Sequence, residues 1–227
     1  MSAAPQGSCG RDETEAPDSA GAFVMPDVRA VVFDVGRVLF QWDLRHLYAP
    51  LIDDPERLEW FVTCVVSERW HHQHDEGRDL DDMVAERIAQ FPDCADLIRI
   101  YATRFNDSVP GPVPGTAQLV ERLAARDMPL FALTNFAAKF WDEFRPLHPV
   151  FDHFRDVVVS GVEKLAKPDP AIYRLAQRRF GHAPGELFFV DDNPTNIAAA
   201  RACGWQAWQF TDASALEREL QSRGLLG

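Results

Sequence analysis

The sequence predicts an α/β fold, a doubly wound parallel sheet with a small α-helical cap inserted after the first strand. Three observations lead there. Short, continuous apolar runs punctuate the chain, the form taken by strands buried on both faces. Stretches with helical periodicity separate them, so that strand and helix alternate. Finally, roughly ninety residues separate the first run from the second, far more than one crossover needs.

Residues 1–26 are rich in Ala, Gly, Ser, Pro and acids. They bury too little to offset their ordering entropy and are expected to form a disordered tail. The first strand is expected at Arg29-Ala-Val-Val-Phe-Asp34 and the second at Pro129-Leu-Phe-Ala-Leu-Thr134. The third is expected at Val157-Val-Val-Ser160, stopped by Gly161, and the fourth at Leu187-Phe-Phe-Val-Asp191. Trp205-Gln-Ala-Trp-Gln-Phe210 is a weaker fifth.

Helices are expected between them. Gly115 to Arg126 carries Leu119, Val120 and Leu123 on one stripe. Asp169-Pro170 reads as an N-cap with proline at the first helical position. Thr195 to Cys203 is alanine-rich and stops at Gly204, and Ala213 to Arg223 stops at Gly224. The long interval reads as helices near Leu44–Leu51, Pro55–Trp70, Leu80–Phe91 and Asp96–Asn106. Breakers at Asp53-Asp54-Pro55, Asp75-Glu76-Gly77 and Val109-Pro-Gly-Pro-Val-Pro-Gly115 divide them. The expected organisation is a core at 27–43 and 112–227 with a helical cap at 44–111.

A chain of 227 residues with 46% hydrophobic content suits one core domain with a smaller insert. The formal net charge of −12 leaves no basic stripe for a nucleic-acid backbone. It does not exclude one small phosphorylated partner, because a divalent cation and a few placed donors handle a single phosphate whatever the net charge. Cys9, Cys64, Cys94 and Cys203 are scattered and form no CxxC pair, as expected of isolated thiols in a reducing compartment. No signal-peptide pattern and no membrane-length apolar run are visible, so a soluble cytoplasmic protein, monomeric or homodimeric, is expected.

In an open parallel sheet, ligands bind beyond the carboxyl ends of the strands. The first strand ends in Asp34 and the second in Thr134-Asn135. The loop after the third supplies Lys167, and the fourth strand ends in Asp191-Asp192-Asn193. Three carboxylates brought together repel unless something positive joins them. Lys167 is one partner; a hard cation is the other, and all-oxygen ligation favours Mg²⁺. Asp34 is then placed to attack phosphorus as a covalent nucleophile.

Four segments carry a family resemblance in order: Val32-Phe-Asp-Val-Gly-Arg-Val-Leu39, Leu133-Thr-Asn135, Lys167-Pro168 and Phe189-Val-Asp-Asp-Asn-Pro-Thr-Asn196. Together they resemble the motifs of the haloacid-dehalogenase superfamily, over about residues 28–210, with its Rossmann-like core. The resemblance implies that Asp34 is nucleophile and metal ligand. It implies the Gly36 carbonyl and Asp192 as further ligands to Mg²⁺, with Asp191 in or near that shell. It gives Thr134 and Asn135 the phosphoryl oxygens, Lys167 the stabilisation of the transferring group, and Asn196 the support of the metal site.

One departure stands out. Phosphatases of this superfamily usually carry a second aspartate two residues after the nucleophile, as general acid/base; this chain has Gly36. The pattern Asp-x-Gly-x-Val resembles a subgroup with sugar-1-phosphate phosphatases, near the phosphatase domain of epoxide hydrolase. General acid/base catalysis is worth ~10²–10⁴-fold, so another group must substitute or turnover must suffer. The stretch Ser67-Glu-Arg-Trp-His-His-Gln-His-Asp-Glu-Gly77 reads either as a specificity loop or as a polar helix end anchored by Trp70. In the first reading Trp70 and His74 meet the substrate, and His74 or His72 is the surrogate acid. Arg37 either guards the pocket entrance or lies on the surface.

Three functions follow. The first is a Mg²⁺-dependent phosphatase acting on a small phosphorylated metabolite. The second is a 2-haloacid dehalogenase using Asp34 on carbon; dehalogenases of the superfamily show serine and asparagine where this chain has Asp191-Asp192, and two bare acids repel an anionic substrate. The third is a phosphate-binding module without turnover, motivated by Gly36.

Overall fold

The computed structural model describes Met1 and residues 27–227, so the tail expected over 1–26 lies, Met1 apart, outside the described residues. Five strands form the sheet: β1 (Ala30–Phe33), β2 (Leu130–Thr134), β3 (Asp156–Val159), β4 (Leu187–Asp191) and β5 (Gln206–Gln209). All neighbours are parallel, in the order β3-β2-β1-β4-β5. Every residue of β1, β2 and β4 is buried. Because strand side chains alternate between faces, these three strands feed two separate apolar layers. Val31, Phe33, Leu130, Ala132, Phe188 and Val190 enter one. Ala30, Val32, Phe131, Leu133, Leu187 and Phe189 enter the other.

Five α-helices lie in the segment inserted after β1: α1 (Leu44–Tyr48), α2 (Pro55–Trp60), α3 (Glu68–Asp75), α4 (Leu80–Gln90) and α5 (Ala95–Arg104). The ends of this segment meet: Gln41 N–H donates to Gly111 O at 2.9 Å and Val113 N–H to Leu39 O at 2.9 Å. Leu47, Tyr48, Phe61, Trp70, Ile98 and Tyr101 pack there in an apolar cluster that runs without a break into the first face of the sheet. Phe105 stacking on Phe140 at 4.5 Å is part of that continuity.

The single helix expected over Pro55–Trp70 is broken. Phe61–Val65 widens into a π-helical turn, Val66 leaves helical geometry, and Ser67 starts α3 anew by accepting from Trp70 N–H at 3.3 Å. The β-branched run Val62-Thr63 and Val65-Val66 disfavours a tight helix, and a serine N-cap offers a fresh start. The polar stretch after Ser67, expected to border a turn, is therefore mostly helix.

The remaining helices flank the sheet: α6 (Thr116–Ala124), α7 (Ala138–Phe144), α8 (Ser160–Glu163), α9 (Pro170–Phe180), α10 (Pro194–Ala202) and α11 (Ala213–Ser222). The first layer takes Leu119 of α6, Phe140 of α7 and Leu216 of α11; the second takes Ile172 of α9 and Ile197 of α10. Helix α7 has no counterpart among the expected elements. The expected third strand ends one residue early, because the Ser160 hydroxyl accepts from Phe136 N–H at 3.0 Å and α8 begins there. Gly161 lets α8 press on the start of α7, since a Cβ at that position would lie 2.5 Å from Ala138 N.

Candidate active site

Register places the ends of β1, β2 and β4 side by side: Phe33 pairs with Ala132 on one flank and Val190 on the other. Asp34 continues β1, its N–H donating to Val190 O at 2.9 Å. Its Oδ1 accepts from Val35 N–H at 2.7 Å and lies 2.8 Å from Lys167 Nζ. Lys167 is buried and its ammonium also donates to Asp191 Oδ2 at 2.7 Å.

Asp191, fully buried at the end of β4, accepts in addition from Asn193 N–H at 2.8 Å and from Asn196 Nδ2 at 3.1 and 3.0 Å to its two oxygens. Asn196 sits on α10, where the Tyr173 hydroxyl donates to its carbonyl at 3.0 Å. Asp192 is half-buried and faces a cavity of about 350 Å³. One oxygen each from Asp34, Asp191 and Asp192 lie within 4.8 Å of one another.

The Asp34 carboxyl is raised to about 7: burial drives it up, Lys167 opposes the rise, and Asp191 and Asp192 add to it. Burial, then Asp191, raises Asp192 as well. Burial opposes the charge on Lys167, but Asp191 and Asp34 outweigh it and hold the ammonium protonated. Two carboxyls raised beside one fixed ammonium mean that negative charge is under-compensated here. An all-oxygen donor set with surplus negative charge fits a hard divalent cation.

The other expected residues separate into two groups. Asn135, Arg37 and Gly36 line the cavity with Asp34, Lys167, Asp192 and Asn196. Asn135 clamps the lysine main chain in both directions, donating to Lys167 O at 2.9 Å and accepting from Lys167 N–H at 2.8 Å. Its amide thus positions the ammonium. Arg37 has φ 61, the left-handed region that non-glycine residues rarely occupy. Its side chain reaches Trp42 O at 3.3 Å, lies 4.6 Å over the Trp42 ring and pairs with Glu68 at the start of α3.

Thr134, Trp70 and His74 do not line this cavity. Thr134 is buried at the end of β2. Trp70 is buried against Tyr101 at 4.8 Å, with Arg87 over its ring at 5.4 Å, so it anchors helix packing instead of facing a ligand. His74 is buried with Nδ1 2.9 Å from Arg78 O, and it faces a separate cavity beside Gly77 and Lys139. Helix geometry separates it from its neighbours: at 3.6 residues per turn, His71, His72 and Asp75 share an arc of about 100° while Trp70 and His74 fall outside it.

Residues that sequence reasoning missed complete the cavity. His71 and Asp75 enter it from α3, and Phe40, Trp42, Phe105, Val109 and Phe136 form an apolar wall. The signal for the first pair was present as an i,i+4 spacing on a helix. The wall is assembled from distant segments and had no local signature.

The sequence profile of the haloacid dehalogenase-like hydrolases matches residues 28–204, and the chain belongs to that family. A sesquiterpene phosphatase of Aspergillus oryzae is 28% identical over 195 residues, 85% of this chain and 95% of that protein. A flavin mononucleotide hydrolase of Arabidopsis thaliana is 27% identical over 111 residues, 49% of this chain and 45% of that one. Among solved structures, a family enzyme from Bacteroides thetaiotaomicron superposes with a TM-score of 0.63 at 21% identity, covering 85% of this chain and 100% of its own. The L-2-haloacid dehalogenase of Xanthobacter autotrophicus superposes with a TM-score of 0.58 at 22% identity, covering 88% and 85%. Both likenesses concern the fold.

Proposed function

We propose that the protein is a Mg²⁺-dependent phosphatase that hydrolyses a small phosphomonoester through an aspartyl-phosphate on Asp34. The observation that carries this reading is the Asp34–Lys167–Asp191 ion-paired group with Asp192 beside it, two carboxylates on one ammonium and a third within 4.8 Å of both. Asp34, Asp192 and the Gly36 carbonyl would hold the cation, with Asp191 tied behind them by Lys167 and Asn196. Bound there, Mg²⁺ would offset the charge of the carboxylates and the phosphoryl oxygens. Asp34 attacks phosphorus, and Lys167 stabilises the charge on the transferring group. The helical segment at 44–111 acts as the cap, adding Phe105 and Val109 and the α3 residues His71, His72 and Asp75 to the cavity.

The apolar wall of Phe40, Trp42, Phe105, Val109 and Phe136 favours a substrate with an apolar organic part over a sugar phosphate. The Aspergillus relative named as a sesquiterpene phosphatase supports the same preference. Dehalogenation is the second reading, favoured by the fold likeness to the Xanthobacter enzyme. The paired acids Asp191 and Asp192 weigh against it, since an anionic haloacid meets negative charge there that Lys167 only partly offsets.

The test is a phosphate-release screen with Mg²⁺ or EDTA across prenyl, aryl and sugar phosphates, nucleotides and phospho-acids, with Asp34→Asn as control. Chloride release from chloroacetate and 2-chloropropionate runs in parallel. Mg²⁺-dependent phosphate release that Asp34→Asn abolishes is expected. Metal-independent chloride release would overturn the reading. Silence in both assays, with a melting temperature raised by Mg²⁺ and beryllofluoride, would instead mark a binding module.

A further inference from the structure

Gly36 leaves the loop after Asp34 without an acid. Nothing lies within 4 Å of where a Cβ at residue 36 would sit, so that space is open to the cavity. The same cavity is lined from α3 by His71, His72 and Asp75, which form a connected set. His71 Nδ1 is 2.5 Å from the Tyr101 hydroxyl, and its Nε2 is 3.1 Å from Asp75 Oδ2. Burial keeps the Tyr101 phenol protonated. In the neutral Nε2–H tautomer of His71, the phenol donates to Nδ1 and Nε2–H donates to Asp75. With both nitrogens committed and the ring buried, His71 is fixed in place.

His72 differs. Its Nδ1 lies 3.7 Å from Asp75 Oδ2, and its Nε2 is 3.9 Å from Glu76 Oε1, beyond hydrogen-bond reach. Its side chain is 39% exposed, enough to meet a ligand. Asp75 is 2% exposed and its Oδ1 has no partner. A buried carboxylate with one oxygen unsatisfied is costly and calls for a reason. A reason is at hand if its charge serves the neighbouring imidazole.

We propose that His72 is the proton donor to the leaving group, with Asp75 as its positioning residue. The assignment rests on the aspartyl-phosphate reading above and supplies the acid that Gly36 lacks. In the first step an Asp34 oxygen forms a bond to phosphorus and the phosphorus–oxygen bond to the alcohol breaks. The departing oxygen takes the His72 proton, leaving a neutral imidazole. In the second step water attacks phosphorus and gives a proton to His72 as the Asp34–phosphorus link breaks. Inorganic phosphate, the Asp34 carboxylate and the imidazolium result.

Electrostatics agree with the geometry. Burial alone would raise Asp75, yet His71 and His72 hold it below the usual carboxylate range. Asp75 raises His72, against opposition from burial; Glu76 adds to the rise and Lys167 opposes it. Asp34, Asp192, Arg37, Glu68 and Arg69 are the other charges on the shared cavity.

The experiment compares kcat/KM for two phosphates that differ in leaving group, benzyl phosphate and para-nitrophenyl phosphate, in the full-length Mg²⁺ enzyme. His72→Gln is expected to lose on the order of 10²–10⁴-fold on benzyl phosphate. On para-nitrophenyl phosphate, whose anion leaves unassisted, the loss is expected to stay under about tenfold, with a burst of nitrophenolate as phospho-Asp34 accumulates. Equal losses on both substrates, or no loss on either, would overturn the assignment. A wild-type enzyme that releases no phosphate, or an Asp34→Asn variant that still does, would instead refute the underlying reading. Independently of turnover, the His72 imidazole resonances are expected to titrate above the free-histidine range and to fall back in Asp75→Asn. Titration at or below the ordinary value in the wild type would also overturn it.

Discussion

The carboxyl edge of the sheet and the cavity-facing arc of α3 both hold buried charge, but they are built differently. At the sheet edge, Asp34, Lys167 and Asp191 arrive from three distant segments and are fixed by strand register and by the Asn135 clamp. On α3, His71, His72 and Asp75 are neighbours in sequence, fixed by one helix phase and by Tyr101 from α5. The first region carries surplus negative charge, with two carboxylates paired to one ammonium and a third beside them. The second balances its own carboxylate with imidazoles. The sheet edge is a place where strand register and backbone set the geometry. The α3 cluster sits on a helix, where one residue of rotation changes which side chain faces the cavity.

This contrast orders the expected effects of mutation. Asp34→Asn removes the nucleophile, and phosphate release is expected to fall on the order of 10⁴-fold or more, with the fold retained by circular dichroism. Lys167→Met strands Asp34 and Asp191 without their counter-charge. It is expected to destabilise the metal-free protein by about 3–5 kcal/mol, read from urea unfolding, with Mg²⁺ recovering part of the loss. If stability is unchanged, the sheet edge is not the strained, charge-loaded region described here.

Trp70→Ala tests the other side. Trp70 is core, so truncation is expected to cost about 3–5 kcal/mol while KM stays near that of the wild type. A large KM change with no loss of stability would return Trp70 to the substrate-binding role. Acid titration sharpens the comparison further. Asp75 sits below its ordinary value of 3.8 in the folded state, so its stabilisation is complete above that pH and is lost as pH falls through the depressed folded value. Asp75→Asn is therefore expected to weaken the protein at neutral pH and to flatten stability below pH 3.8. The smallest effect is expected for Glu68→Gln. Its pair with Arg37 is solvent-exposed on both sides, and its loss costs about 0–1 kcal/mol by thermal melting.

The sheet edge was legible in the sequence because it obeys local rules. Apolar runs of strand length end in acids or an amide, and alternation assigns their faces without tertiary knowledge. The α3 cluster was legible only as composition. Three histidines and an acid stood in one short stretch, but which of them faces the cavity depends on where the helix begins. That start is set by the π-helical turn at Phe61–Val65 and by the Ser67 cap, which interrupt the phase running from α2. Of the two readings of this stretch, Trp70 follows the anchoring one, His74 turns away from the cavity, and His71 and Asp75 take the facing arc. Helix α7 escaped notice for a related reason. Its seven residues are held by the packing of Phe140, Trp141 and Phe144 more than by any cap, since Ala137 makes no side-chain cap bond.

The central claim is that Asp34 carries the phosphoryl group. Rapid acid quench during turnover with Mg²⁺ and para-nitrophenyl phosphate, followed by peptide mass spectrometry, tests it directly. The account predicts a peptide heavier by one phosphoryl group, with the modification on Asp34 and absent in Asp34→Asn. Steady phosphate release with an unmodified Asp34, in His72→Gln as well as in the wild type, would contradict it.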